Sequence, residues 1–294
     1  MEHDIFDFVK QGYLWTLLAT SIFAISSGIL VKLITVPAFT LYSIGAFWGI
    51  IFLLIVLTFK RKLRDLFNYP RKTLFLMLGV GLATSINNGL FFTALKSGLV
   101  SNAVLTHYLA PIFVVLVFEP VMLKEKITTR NVLLSVLGLI GLFILVLPDL
   151  KGSIDLALIY GSLSAVFFAF HRVLEKKVTQ TKADPWSAVV YKNLVPVVLF
   201  SPFAIRSISE GISLQNQLLL ALFGVLVLGV ALVMLFKGIK LISATSASIL
   251  SYVEPIGAII LAAIFFSEAV SIYTFIGGLL IVSSGIGVIK RQSQ

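Results

Sequence analysis

Apolar residues in this chain fall into ten long stretches parted by short polar turns. The pattern predicts helices over 13–34, 39–59, 73–95, 100–122, 131–148, 156–175, 187–205, 215–238, 243–266 and 271–289. Crossing a hydrocarbon core of ~30 Å takes ~20 apolar residues at 1.5 Å each, so every stretch is a membrane-span candidate. The last five stretches repeat the first five about 144 residues later. Phe92-Thr93-Ala94-Leu95-Lys96, then Ala103, Tyr108, Pro111 and Ile112, align with Phe236-Lys237-Gly238-Ile239-Lys240, then Ala247, Tyr252, Pro255 and Ile256. A repeat of five spans is odd in number, so the second copy enters the bilayer from the opposite side. The expected fold class is an all-α integral membrane protein with ten transmembrane helices in two inverted five-helix repeats. The repeats occupy 1–148 and 149–294, parted by the turn-rich stretch Pro148-Asp149-Leu150-Lys151-Gly152-Ser153.

Composition agrees with that pattern. The chain is 59% hydrophobic and 12% charged, against ~45–50% and ~25% for a soluble domain. It has no cysteine, which removes disulfides and Cys-based metal or nucleophile chemistry. The start, with Glu2, Asp4 and Asp7, does not read as a cleavable signal peptide, whose leading region is basic.

The net charge of +10 raises nucleic acid as a partner, but its distribution points to topology. Eighteen basic residues fall on one side of the expected spans, chiefly at 60–72, 124–130, 172–182, 237–240 and 290–291. Four fall on the other, Lys32, Lys96, Lys151 and Arg206, and Lys192 lies within or near the seventh stretch. Such asymmetry is the positive-inside pattern, which puts both termini in the cytoplasm. The expected location is the cell (cytoplasmic) membrane, as a multi-pass protein.

Ten short helices in two inverted repeats resemble the drug/metabolite transporter superfamily, specifically its EamA-type permeases. The residues that carry the resemblance are Ala94-Leu95-Lys96, Ser101-Asn102-Ala103, Tyr108-Leu109-Ala110-Pro111 and Glu125. Their second-half partners are Gly238-Ile239-Lys240, Ser243 to Ala247, Tyr252-Val253-Glu254-Pro255 and Glu268. Two features depart from such permeases: Phe23-Ala24 stands where Trp-Gly is frequent, and Ile44-Gly45 where an Arg is frequent. The resemblance implies a secondary transporter of small organic metabolites, amino acids or their relatives, working in the export direction.

A transport site needs polar groups that face a cavity, because such groups facing lipid cost several kcal/mol. Glu254, beside Pro255 in the ninth stretch, shares a helical face with Ala247, Ser251 and Ala258. A carboxyl held out of water can exchange a proton near neutral pH, or merely bond a neighbouring helix. Pro255 is expected to free the Ser251 carbonyl and kink the helix. His107 maps onto Ser251 through the 144-residue shift and is a candidate partner for Glu254. Tyr108 and Tyr252 are repeat equivalents, suited to packing or to ligand contact. Asn87 and Asn88, with Thr84 and Ser85, stand opposite Ser26 and Ser27 as ligand contacts or interhelical glue. Lys192 either touches substrate or snorkels to the interface, and Arg172 reads as a topology signal. Glu125 and Glu268 read as helix braces. Gly138, Gly141, Gly277, Gly278, Gly285 and Gly287 suit either a dimer contact or support of the bundle.

Enzymatic readings find little support. The chain has no Walker-type loop, its three histidines are far apart, and Asp149, Asp155 and Asp184 all fall in loops. The expectation is a transporter, not an enzyme, with no cofactor or metal. It would use alternating access and take a small-molecule substrate, with protons a candidate second partner. It would sit in the lipid bilayer as monomer or homodimer and bind no nucleic acid. The alternatives are a proton-independent exchanger of phosphorylated or nucleotide-linked metabolites, or a lipid-handling membrane protein.

Overall fold

The computed structural model describes residues 2–97, 100–149, 156–266 and 271–290, and among them every regular element is helical. Helix α1 (Glu2–Ile25) continues through a π-helical stretch, Ser26–Leu30, into a last turn, Val31–Leu33. After it come α2 (Ala38–Phe59), α3 (Arg71–Ser97), α4 (Asn102–Leu123) and α5 (Thr129–Val146). The second half holds α6 (Leu156–Thr179), α7 (Pro185–Leu199), α8 (Ser201–Glu210), α9 (Leu214–Leu241), α10 (Ala244–Phe265) and α11 (Ile272–Lys290). Eight of these, α2 to α6 and α9 to α11, are long and apolar enough to cross a membrane. The pair α7 and α8, bent by 63°, adds a ninth if it forms one span. The expected stretch 13–34 lies in α1 and its continuation, outside those eight. Glu268 and residues 150–155 of the turn between halves lie outside the described residues, as do the side chains of Lys96 and Ser101.

Local chemistry sets the ends of these helices. Thr128, Asp184, Ser213 and Ser243 each accept a hydrogen bond at their side-chain oxygen from a backbone N–H two or three residues on. These bonds satisfy donors that the first helical turn leaves unpaired. At the other end of α4, Lys124 takes a left-handed conformation, φ 57°, and stops the helix.

The two halves are interleaved. The most extensive packing joins α3 to α6, α5 to α11, α1 to α9, α2 to α7 and α9, α7 to α3, and α4 to α6. Each of these pairs takes one helix from each half. The pairings also come in matched sets: α1 on α9 answers α6 on α3, and α10 on α1 answers α4 on α6. Where α5 meets α11 the backbones touch. A Cβ added at Gly141 would lie 2.7 Å from the Gly277 carbonyl oxygen, and one at Gly277 would lie 2.4 Å from that of Gly141. Only glycine permits this approach. Gly138 receives the ring of Tyr252 in the same way. Gly138, Gly141 and Gly277 thus hold the bundle together within one chain. Large apolar side chains such as Phe59, Phe75, Val121 and Phe275 cover the outside, as a lipid-facing surface requires.

Candidate functional site

The helices that carry the candidate residues are broken where prolines demand it. Pro111 and Pro255 cannot donate to the carbonyl four residues earlier, and regular helix lapses at 108–109 in α4 and at 251–252 in α10. Tighter bonds bridge both breaks, Leu109 N to Thr106 O at 3.2 Å and Glu254 N to Ser251 O at 3.1 Å. The Ser251 carbonyl freed by Pro255 is therefore taken by Glu254 rather than left as an open acceptor. The break aims Glu254 at α1 and α4. Its Oε1 lies 3.4 Å from Ser27 Oγ, in the π-helical stretch of the first helix. The Tyr108 hydroxyl faces the same carboxyl, and Arg172 is the cation whose charge reaches it. Glu254 is half-buried and Ser27 is exposed. The Ser27 hydroxyl also donates to Phe23 O in its own helix, at 2.8 Å.

His107 does not join that group. Its Nδ1 lies 2.8 Å from Ser164 Oγ on α6, and its ring stacks on Phe91 with centroids 4.1 Å apart. Phe168 closes on it edge-to-face at 5.2 Å. The aromatic sandwich fixes the imidazole toward α6, so the partner that α4 offers to Glu254 is Tyr108, one residue on.

Several other candidates serve helix packing. Tyr252 is fully buried and donates to the Ser135 carbonyl on α5 at 3.2 Å. Ser251 Oγ returns to Ala247 O in its own helix. Asn87 donates to Ser164 O at 2.8 Å, tying α3 to α6. Ser26 is buried. Asn88 is half-buried, and with Ser85 it faces the buried hydroxyl of Tyr42. Glu125 is exposed after α4, its charge bearing on Lys176.

Lys192 and Arg172 depart from expectation. Lys192 is 2% exposed and does not snorkel: its Nζ donates to Glu175 Oε1 at 2.7 Å. Arg172, read as a topology signal, is 3% exposed and donates through Nη1 to Glu175 Oε2 at 2.9 Å. His171 Nδ1 stands 3.5 Å from Glu175 Oε1. Glu175 itself, 0% exposed, was missed by the sequence reading. A signal was present: an acid three residues after Arg172 and four after His171 faces both along one helix.

Glu119 was missed as well. It is buried one turn before the end of α4, accepts from Thr245 N at 3.2 Å and takes the Thr245 hydroxyl. Lys176 donates to the carbonyls of Ile239 and Ile242 at 2.9 and 2.7 Å. Together they clamp the turn from α9 to α10, the acid on the positive end of one helix and the base on the negative end of the other.

Eight helices among the described residues, nine with the bent pair, long and apolar enough to cross a membrane mark a multi-pass integral membrane protein. It belongs to the EamA-like transporter family, which matches residues 10–147 and again 155–289. Among its relatives is an uncharacterized transporter of Archaeoglobus fulgidus, 27% identical over 230 residues that cover 78% of this chain and 80% of that protein. Uncharacterized transporter YxxF of Bacillus subtilis is 22% identical across 74% of this chain and 70% of its own. One from Clostridium kluyveri is 25% identical across 95% and 93%. A crystal structure of a protein with 20% identity covers 95% of this chain and 96% of its own at a TM-score of 0.75, a likeness of fold.

Proposed function

We propose that this transporter is a secondary carrier of small organic solutes, amino acids or their relatives, that exports them across the cytoplasmic membrane by alternating access. Glu254 is the centre of the substrate and proton site. The observation that carries this reading is the Glu254 carboxyl itself: half-buried at a proline break, faced by Ser27 and Tyr108. A carboxyl so placed is free to trade a proton for a solute. The architecture proposed is ten spans in two inverted repeats, 1–148 and 149–294, with both termini cytoplasmic. The double match to one family and the matched helix pairings support it. The clamp at the α9–α10 turn would close the end that bears the basic loops, and rocking of the halves would open it.

Counterflow in proteoliposomes tests the reading. A panel of labelled amino acids is offered against excess unlabelled solute inside, across a range of pH. Accumulation of at least one amino acid is expected, with a pH dependence that Glu254→Gln removes. A folded wild type that accumulates none, or a Glu254→Gln variant with an unchanged pH profile, defeats it.

A further inference from the structure

Three charged side chains meet in the interior, and their charges do not cancel. Glu175 contributes one negative charge, while Arg172 and Lys192 contribute two positive ones. Both Glu175 oxygens are taken, Oε1 by Lys192 at 2.7 Å and Oε2 by Arg172 at 2.9 Å. The single side-chain nitrogen of Lys192 thereby has a partner. Arg172 keeps one nitrogen without. A guanidinium has five N–H donors; among the described residues Arg172 engages Nη1, and its buried Nε has no partner. Its Cζ stands 5.0 Å over the Phe168 ring, so one face is shut off from water. A buried cation with idle donors is costly unless an anion arrives to accept from them. The acid whose charge reaches it, Glu254, faces Ser27 and Tyr108 instead.

We propose that Arg172 anchors the carboxylate of the transported solute while Glu254 receives its amino group, so that the site takes a zwitterionic amino acid lengthwise. The inference deepens the transport reading above and rests on it. Glu175 and Lys192 are positioning residues: their pair holds the guanidinium at one edge and leaves the rest of its planar fork for a second carboxylate. Charge arithmetic favours a zwitterion. Arg172 and Lys192 balance Glu175 and Glu254, and a solute with one charge of each sign keeps that balance. A phosphate monoester, with a charge near −2, upsets it.

The test uses the purified full-length protein in detergent and follows thermal unfolding with each of the common L-amino acids and with its carboxamide. At least one amino acid is expected to stabilise the wild type, with an apparent affinity about 30-fold above that of its carboxamide. Arg172→Gln leaves Glu175 paired with Lys192 and should bring that ratio close to one. Arg172→Lys should restore it only in part, because the fork is lost. Should Arg172→Gln fail to fold, Arg172→Lys carries the test, with the ratio expected to fall about fivefold. A ratio that survives in either folded variant overturns the anchor. So does a wild type that binds carboxamides, or a phosphate monoester, as tightly as amino acids. A wild type that binds no amino acid yet transports another solute overturns the anchor and leaves the carrier standing. One that binds amino acids with this ratio but shows no counterflow supports the anchor and defeats the carrier.

Discussion

Two interior carboxylates, Glu175 and Glu254, live in opposite circumstances. Glu175 is sealed from solvent, with both oxygens committed to cations. Glu254 is half-buried and meets hydroxyls, and Arg172, the cation whose charge reaches it, hydrogen-bonds Glu175 instead. The difference lies in what each would leave behind if it lost its charge. Neutral Glu175 strands two buried cations; neutral Glu254 strands none in direct contact. A buried ion pair broken on one side costs ~3–5 kcal/mol, so Glu175 is tied to its charge. Glu254 has no such tie, and a group that must load and unload during a cycle has to be of this second kind.

The contrast is broken most directly by Glu175→Gln. Loss of ~3–5 kcal/mol is expected, visible as poor yield and a lowered unfolding temperature in detergent; a variant as stable as wild type would show that the cations find other partners. Adding Lys192→Met to Glu175→Gln removes one of the two stranded charges. The double variant should recover roughly 2 kcal/mol of the loss, read from the same melting curves against each single variant. Tyr108→Phe sharpens the other side. Removing a hydroxyl that faces Glu254 should cost about 1 kcal/mol and displace the pH profile of transport, whereas Tyr252→Phe, at the α5 contact, should leave that profile where it is. The smallest effect on stability belongs to Glu254→Gln, expected within ~0.5 kcal/mol of wild type, although its transport loses pH dependence. A large destabilisation there would put Glu254 in the same category as Glu175.

How much of this could be read from the chain alone follows the range of each interaction. Helix positions were legible because hydropathy is local: the expected 39–59, 131–148 and 215–238 stand beside Ala38–Phe59, Thr129–Val146 and Leu214–Leu241. The break at Pro255 was legible too, since the missing N–H belongs to the residue itself. The sharp turn between α7 and α8 inside the expected 187–205 was not, and neither was the use of the Ser251 carbonyl. Glu254 stood out as an acid within an apolar stretch. Glu175 did not, because Lys176 and Lys177 follow it and the trio reads as the start of a basic loop. The structure carries α6 on to Thr179 and folds the acid inward. The direction of His107 was beyond reach for another reason: Ser164, which bonds it, lies 57 residues further on, and Phe168, which closes on it, stands on the same distant helix α6.

The interleaving of the halves bears on how the molecule is made. Helices of the first half find their broadest contacts on helices that the ribosome has not yet produced when the first half is finished. Until α6 arrives, the face of α3 that will carry Asn87 to Ser164 has only lipid or its own neighbours against it. Insertion and folding are thus separated in time, and the nascent first half must wait in the bilayer with polar side chains unsatisfied. Truncation after residue 148 should yield an inserted but unfinished protein, prey to membrane quality control, which co-expression of the missing half as a separate chain could rescue.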